Sequence, residues 1–168
     1  MDRNKKLNIK IYQSKLIPSK KIWGNITWSF LHGIVFHSHE NDFQIIKKEL
    51  IQIFYSIFKT LPCGDCSQHA LDLARTVNWN NINSKKDMEL FLLEFHNKVN
   101  SRTNKIVFTY DEYVNKYKDT SLLGIWIEFS EMYILKTNNM NLLNSNIYRI
   151  DTIRNIRNFF NNNHKYFS

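Results

Sequence analysis

Seven apolar side chains, Phe43, Ile46, Leu50, Ile53, Phe54, Ile57 and Phe58, recur along one face at helical spacing, with Lys47, Lys48 and Glu49 set off it. The stripe predicts an amphipathic helix of about four turns that ends before Pro62. A helix with one apolar face must bury it against other elements. The 168-residue chain carries only four Gly and two Pro, too few for the many tight turns of an all-β fold.

The flanking segments repeat the helical pattern. From Trp23 to about Ser38, Trp28, His32 and Val35 fall at i, i+4 and i+7. A third helix is predicted from the segment Pro62-Cys63-Gly64-Asp65-Cys66 to about Thr76. After an Asn-rich loop over Val77 to Asn83, Ser84 with Asp87 three positions on marks a fourth, running to about Arg102 with Leu92, His96 and Val99 on one face. Asp111 and Glu112 favour a short helix within Phe108 to Lys118. Leu122, Ile125, Trp126, Phe129 and Met132 outline another between Ser121 and Lys136, and Ile147, Ile150, Ile153 or Arg154, and Arg157 suggest a weak one beyond the Asn-rich stretch after Thr137. No internal repeat, Gly-rich phosphate loop or strand–helix alternation is present. The fold class expected is all-α, a helical bundle.

The formal net charge of +8 invites a nucleic-acid reading until it is located along the chain. Residues 1–21 hold seven Lys/Arg against one Asp, and residues 137–168 four against one, leaving 12 basic and 13 acidic residues between. The basicity belongs to the ends, where it reads as solvated arms, so specific nucleic-acid binding is not expected. No run reaches the roughly 18 apolar residues of a membrane span, and the N-terminus lacks the apolar core of a signal peptide. A soluble, cytoplasmic protein is the expectation.

Cys63 and Cys66 are the only cysteines. The Pro before them and the helix-compatible residues after them place the pair at a helix N-terminus, where the backbone dipole favours a thiolate. The spacing points to a reactive dithiol. A zinc site would add two histidines, but His37 and His39 lie upstream rather than paired downstream beside His69, so no metal is expected. Trp28 and His32 share one helical face and fit a packed core as well as a binding surface. His96 and Asn100, with Asn97, Arg102 and Lys105 nearby, make a polar patch. Aromatic, imidazole, amide and basic groups together suit a nucleotide-containing cofactor.

Three segments resemble the Erv/ALR family of FAD-linked sulfhydryl oxidases: Gly24-Asn25-Ile26-Thr27-Trp28-Ser29-Phe30-Leu31-His32, Pro62-Cys63-Gly64-Asp65-Cys66, and His96-Asn97-Lys98-Val99-Asn100 followed by Lys105. The resemblance covers about residues 20–118. It implies a four-helix bundle with a short fifth helix, an FAD-binding domain over residues 21–119, a basic arm over 1–20 and a C-terminal helical, Asn-rich extension over 120–168. It implies that Cys63 and Cys66 form the redox disulfide, Cys66 beside the flavin ring and Cys63 open to attack by a substrate thiol. Gly24, Trp28, His32, His96, Asn97, Val99, Asn100 and Lys105 become FAD contacts, with Tyr117 where the family often has Trp.

The activity implied by the resemblance is that of a thiol oxidase, which makes disulfides in a protein substrate and passes electrons to dioxygen, giving hydrogen peroxide. Family members usually pair through their first helices, and the Phe43 to Phe58 stripe offers further apolar surface, so a homodimer is expected. The chain lacks the family's common shuttle and stapling cysteines, which makes a small thiol–disulfide carrier the expected substrate. It also has His37 or Ser38 where the family places an aromatic. Its stripped-down form and its Asn-, Ile- and Lys-rich composition look like the versions encoded by large cytoplasmic DNA viruses, acting in host cytoplasm or in the virion. The alternatives are a non-catalytic helical interaction protein and a thiol–disulfide exchange protein. The latter spacing ordinarily accompanies a βαβ order that is absent here.

Overall fold

The computed structural model describes residues 18–134 and 140–168, with side chains described outside 140–145. Seven α-helices lie among them: α1 Lys20–Phe36, α2 Phe43–Lys59, α3 Gly64–Thr76, α4 Lys85–Arg102, α5 Tyr110–Tyr117, α6 Leu122–Tyr133 and α7 Met140–Asn163. The only pairing of strand type among these residues is an isolated bridge between Ser38 and Phe167. The basic arm expected over residues 1–20 lies outside the described residues as far as 17, and Lys20 already belongs to α1. Asn138 and Asn139 of the Asn-rich stretch lie outside them too.

The helix starts follow local chemistry. Ser84 Oγ accepts from Asp87 N at 3.0 Å while the Asp87 carboxylate accepts from Ser84 N at 2.9 Å, a reciprocal box that opens α4. Thr109 and Glu112 form the same box at α5, within the Phe108 to Lys118 segment where a short helix is expected. Asn104 ends the turn after α4 with φ of 53°, a left-handed position that Asn tolerates, and Lys105 N returns to Asn100 O at 2.9 Å.

Helix α1 packs against α4 and α6, and α2 against α3 and α7. All seven residues of the α2 stripe are buried. They are covered by one chain, so the apolar surface expected to serve a homodimer is spent internally. On α1, Phe30 stacks on Phe129 of α6 with centroids 4.2 Å apart and meets Phe160 of α7 edge-on. Gly33 lets α6 close in, since a Cβ there would sit 2.7 Å from Ile125 Cδ1. Helix α7 is no weak element: it buries Ile153, Ile156 and Phe159 in the main core. The chain end then returns to α1, with Ser168 N donating to His37 O at 2.9 Å and His39 N to Tyr166 O at 2.8 Å.

Candidate active site

Cys63 caps α3. Its Sγ accepts from Cys66 N at 3.2 Å and is disulfide-bonded to Cys66. Ser67, the next residue, donates from Oγ to Phe58 O at 2.6 Å, tying the first turn of α3 to the last turn of α2. The dithiol therefore rests on two joined helix ends, at the N-terminal pole where the dipole favours sulfur as an anion.

Beside it lies a cavity of about 1040 Å³ walled by α1, α3 and α4 and by the segment after α4. Seven of the residues that the family resemblance assigns to the redox pair and FAD line it: Gly24, Trp28, Cys66, His96, Val99, Asn100 and Lys105. Cys63 does not. No atom comes within 4 Å of where a Cβ on Gly24 would project, so that position leaves open space. Trp28 stacks flat on His96, with centroids 4.1 Å apart and planes 8° off parallel, and meets Phe95 edge-on. Asn100, buried, donates to Ile106 O at 3.0 Å.

His32, Asn97 and Tyr117 stand outside that lining. His32 is 2% exposed, behind His96, with Nε2 3.1 Å from His96 Nδ1 and Nδ1 unpartnered. The Asn97 side chain is spent on Phe108, donating to its carbonyl at 2.7 Å and accepting from its N–H at 2.9 Å. Tyr117 is buried with Tyr113 and Phe36 in a small cluster below. These three build the wall from behind.

Sequence reasoning missed Lys116. It lines the cavity, its ammonium 5.8 Å from the centre of the Phe108 ring and 5.3 Å from that of Tyr117. The signal was available: Tyr113 and Tyr117 mark the inner face of α5, and Lys116 sits one helical turn from Tyr113. Burial lowers the Lys116 pKa. Burial also pushes the His96 pKa down to about 4, helped by Lys116 and Lys105, and holds His32 well below its usual value, helped by His96 and Lys116. Both imidazoles are thus neutral at pH 7. With Lys20, Lys98 and Arg102 the cavity margin is strongly cationic, and its one carboxylate, Asp72, bonds Arg75 and Gln68.

A dithiol at a helix start opening on a cationic, aromatic cavity can exchange disulfides and hold an anionic, ring-bearing ligand. A model of the Erv1 / Alr family matches residues 25–118. The chain belongs to that family. Among relatives in the Erv1 / Alr family, the FAD-linked sulfhydryl oxidase of African swine fever virus, isolate Pig/Kenya/KEN-50/1950, is 34% identical over 104 residues, covering 61% of this chain and 86% of that protein. Protein 096R of Invertebrate iridescent virus 3 is 33% identical over 86 residues, 51% of this chain and 58% of its own length. The FAD-linked sulfhydryl oxidase ERV1 of Arabidopsis thaliana is 28% identical over 90 residues, 54% of this chain and 47% of its own. No solved structure matches. The family match ends before α6 and α7, which are therefore additions to the matched bundle. Among the described residues no helix is long and apolar enough to cross a membrane, and no three metal-ligating side chains cluster.

Proposed function

We propose that this chain is an FAD-linked sulfhydryl oxidase that forms disulfides in a protein substrate through Cys63 and Cys66. The observation that carries the reading is that Cys66 lines the same cavity as Trp28, His96, Asn100 and Lys105, while its disulfide partner Cys63 does not. One sulfur faces the cofactor chamber and the other is left for substrate.

The residues present fit FAD. A cavity of about 1040 Å³ is at the upper end of cofactor sites, which run to about 1,000 Å³. Trp28 and His96 supply flat ring surface, Asn100 an amide, and Lys105 and Lys116 the cations for a diphosphate. Gly24 leaves room at the α1 wall, and His32, Asn97 and Tyr117 act from behind, holding His96 and the Phe108 segment. The chemistry that bound FAD supplies is that of a two-electron acceptor, which takes the electron pair of the reduced dithiol and hands it to dioxygen to give hydrogen peroxide.

The chain's own part is thiol–disulfide exchange. A substrate thiolate attacks Cys63 Sγ; a new S–S bond forms, the Cys63–Cys66 bond breaks, and Cys66 leaves as a thiolate at the α3 N-terminus. A second substrate thiolate attacks the substrate sulfur of that mixed disulfide and releases Cys63. The substrate gains a disulfide and the Cys63/Cys66 pair gains two electrons. With no third cysteine in the chain, electrons enter at Cys63 directly. The substrate class is a small thiol–disulfide carrier protein able to reach a half-buried disulfide. The working location is host cytoplasm or the virion, where an added oxidase makes disulfides that the compartment otherwise disfavours. A homodimer would have to use a face other than the α2 stripe.

Purified protein is expected to be yellow with a flavin spectrum and to consume oxygen with dithiothreitol; a colourless, inert protein overturns the reading. Cys66→Ser is expected to abolish peroxide production with FAD retained. Cys63→Ser is expected to add a long-wavelength absorbance to the flavin spectrum, and its appearance in Cys66→Ser instead would exchange the two roles.

A further inference from the structure

The C-terminal end of α2 is the platform from which Leu61, Pro62 and Cys63 depart, and its last carbonyls fall outside the regular i to i+4 ladder. Thr60 itself takes two of them, Ser56 O through Oγ1 at 2.7 Å and Ile57 O through its N–H at 3.1 Å; further partners come from two directions. Ser67 of α3 takes Phe58 O. The others come from the additions beyond the family match. Arg149 of α7 donates from Nε to Thr60 O at 2.9 Å. Tyr133 of α6 donates to Ile57 O at 3.3 Å, and its hydroxyl also pairs with Thr60 Oγ1. Both are buried side chains, each 2% exposed, and Arg149 reaches Asn146 Oδ1 through its guanidinium at 3.5 Å.

Burying a guanidinium is costly unless it is well paired, and hydrophobic packing alone would not select it there. A cation at a helix C-terminus meets the negative pole of that helix and satisfies its orphan carbonyls in one step. Thr60 is the C-cap of α2, three residues before Cys63, and Ser67 is one after Cys66. The segment carrying the disulfide is therefore held at both ends, by Arg149 and Tyr133 upstream and by Ser67 downstream.

We propose that Arg149 and Tyr133 are positioning residues for the Cys63–Cys66 pair, so that the C-terminal extension sets the geometry and redox poise of the dithiol. The proposal rests on the assignment of that pair as the redox centre. The direction of the effect comes from the cap. Cys63 Sγ accepts from Cys66 N at 3.2 Å, and in the reduced pair this contact stabilises a thiolate. Loosening Thr60 frees the Cys63 approach, weakens the contact, and destabilises the reduced form relative to the disulfide.

The test is the anaerobic equilibrium of the FAD-loaded, full-length protein with dithiothreitol, read by alkylation and mass, together with steady-state kinetics on a thioredoxin-like dithiol protein. Arg149→Met keeps an unbranched stem without charge or donor; Arg149→Lys keeps the cation; Tyr133→Phe keeps the ring without the hydroxyl. Arg149→Met is expected to shift the dithiol–disulfide equilibrium toward disulfide by three- to tenfold and to raise KM for the protein thiol. Arg149→Lys is expected to recover most of both, and Tyr133→Phe to give a smaller shift of the same sign. Where Arg149→Met does not fold, Tyr133→Phe carries the comparison. Unchanged equilibrium and KM in the folded variants, with only the melting temperature lowered, overturn the proposal. A wild-type protein that oxidises no thiol overturns the underlying reading instead, so the two failures are distinguishable.

Discussion

Acidification is the perturbation that the cavity wall responds to most directly. His96 is held neutral with its pKa near 4 against an ordinary value of 6.5, by burial first and then by Lys116 and Lys105. The unfolded chain takes up this proton below pH 6.5 and the folded chain does so only near pH 4. Stability from His96 is thus fully present above pH 6.5 and is lost as pH falls toward 4. The difference corresponds to roughly 3 kcal/mol, or two orders of magnitude in the ratio of folded to unfolded chain. His32, more deeply buried, and His37, lowered by burial and by Lys85, act in the same sense. Glu89, whose carboxyl burial raises, acts oppositely, since the folded chain protonates it first. Comparing wild type with His96→Phe, which keeps a flat ring beside Trp28, cancels His37 and Glu89, neither of which His96 perturbs. His32, which His96 helps to hold low, is less depressed in the variant and so adds to the difference in the same sense. Urea unfolding of FAD-free protein, followed by circular dichroism from pH 7.5 to 4, is expected to show wild type losing about 3 kcal/mol more than the variant. Parallel pH profiles would refute the reasoning, because they would mean that His96 protonates alike in both states.

Gly33→Val is expected to cost about 1–3 kcal/mol by overpacking against Ile125, with Ile125→Ala recovering part of it in a double-mutant cycle; additive effects would mean that α6 does not dock there. Asn97→Ala leaves both backbone groups of Phe108 unpaired; a loss of about 1–3 kcal/mol in denaturant unfolding and faster FAD loss on desalting are expected. Truncation after residue 119 removes Phe129, Ile153, Ile156 and Phe159 from the main core, each worth roughly 1.5–3 kcal/mol. That is comparable to the whole stability of a domain, so the truncated chain is expected to be insoluble or molten by near-UV circular dichroism.

Where local chemistry decides an element, the sequence was readable. The α2 stripe, Pro62 as the stop, and the Ser84/Asp87 box each rest on residues within a few positions of one another, and the structure contains them as expected. The rotation of a helix about its axis is different, because packing partners set it. Spacing placed Trp28 and His32 on one face, yet Trp28 meets the cavity while His32 turns behind His96. Asn97 looked like a ligand contact and is spent on the Phe108 backbone, a partner eleven residues away that no periodicity announces. Lys116 is the converse, a charged residue on a short helix whose neighbours Tyr113 and Tyr117 hold it inward.

Helix α7 shows most plainly why pattern alone fell short. Its Asn-rich sequence has low intrinsic helix propensity, so local terms predicted a weak element. What stabilises it is tertiary: Ile153, Ile156 and Phe159 close the core around α1 and α2, and Arg149 closes the end of α2. Neither contribution is visible without the partner helix, since an Arg in a polar run reads as solvated charge. The boundary at residue 119 has the same character. It marks where the family pattern stops, but Phe30 of α1 is flanked by Trp126, Phe129 and Phe160 from beyond it, so the hydrophobic core does not stop there. An extension that completes the core of the matched bundle and ties down the helix end feeding Cys63 has a physical reason to constrain the dithiol, whichever thiol it meets.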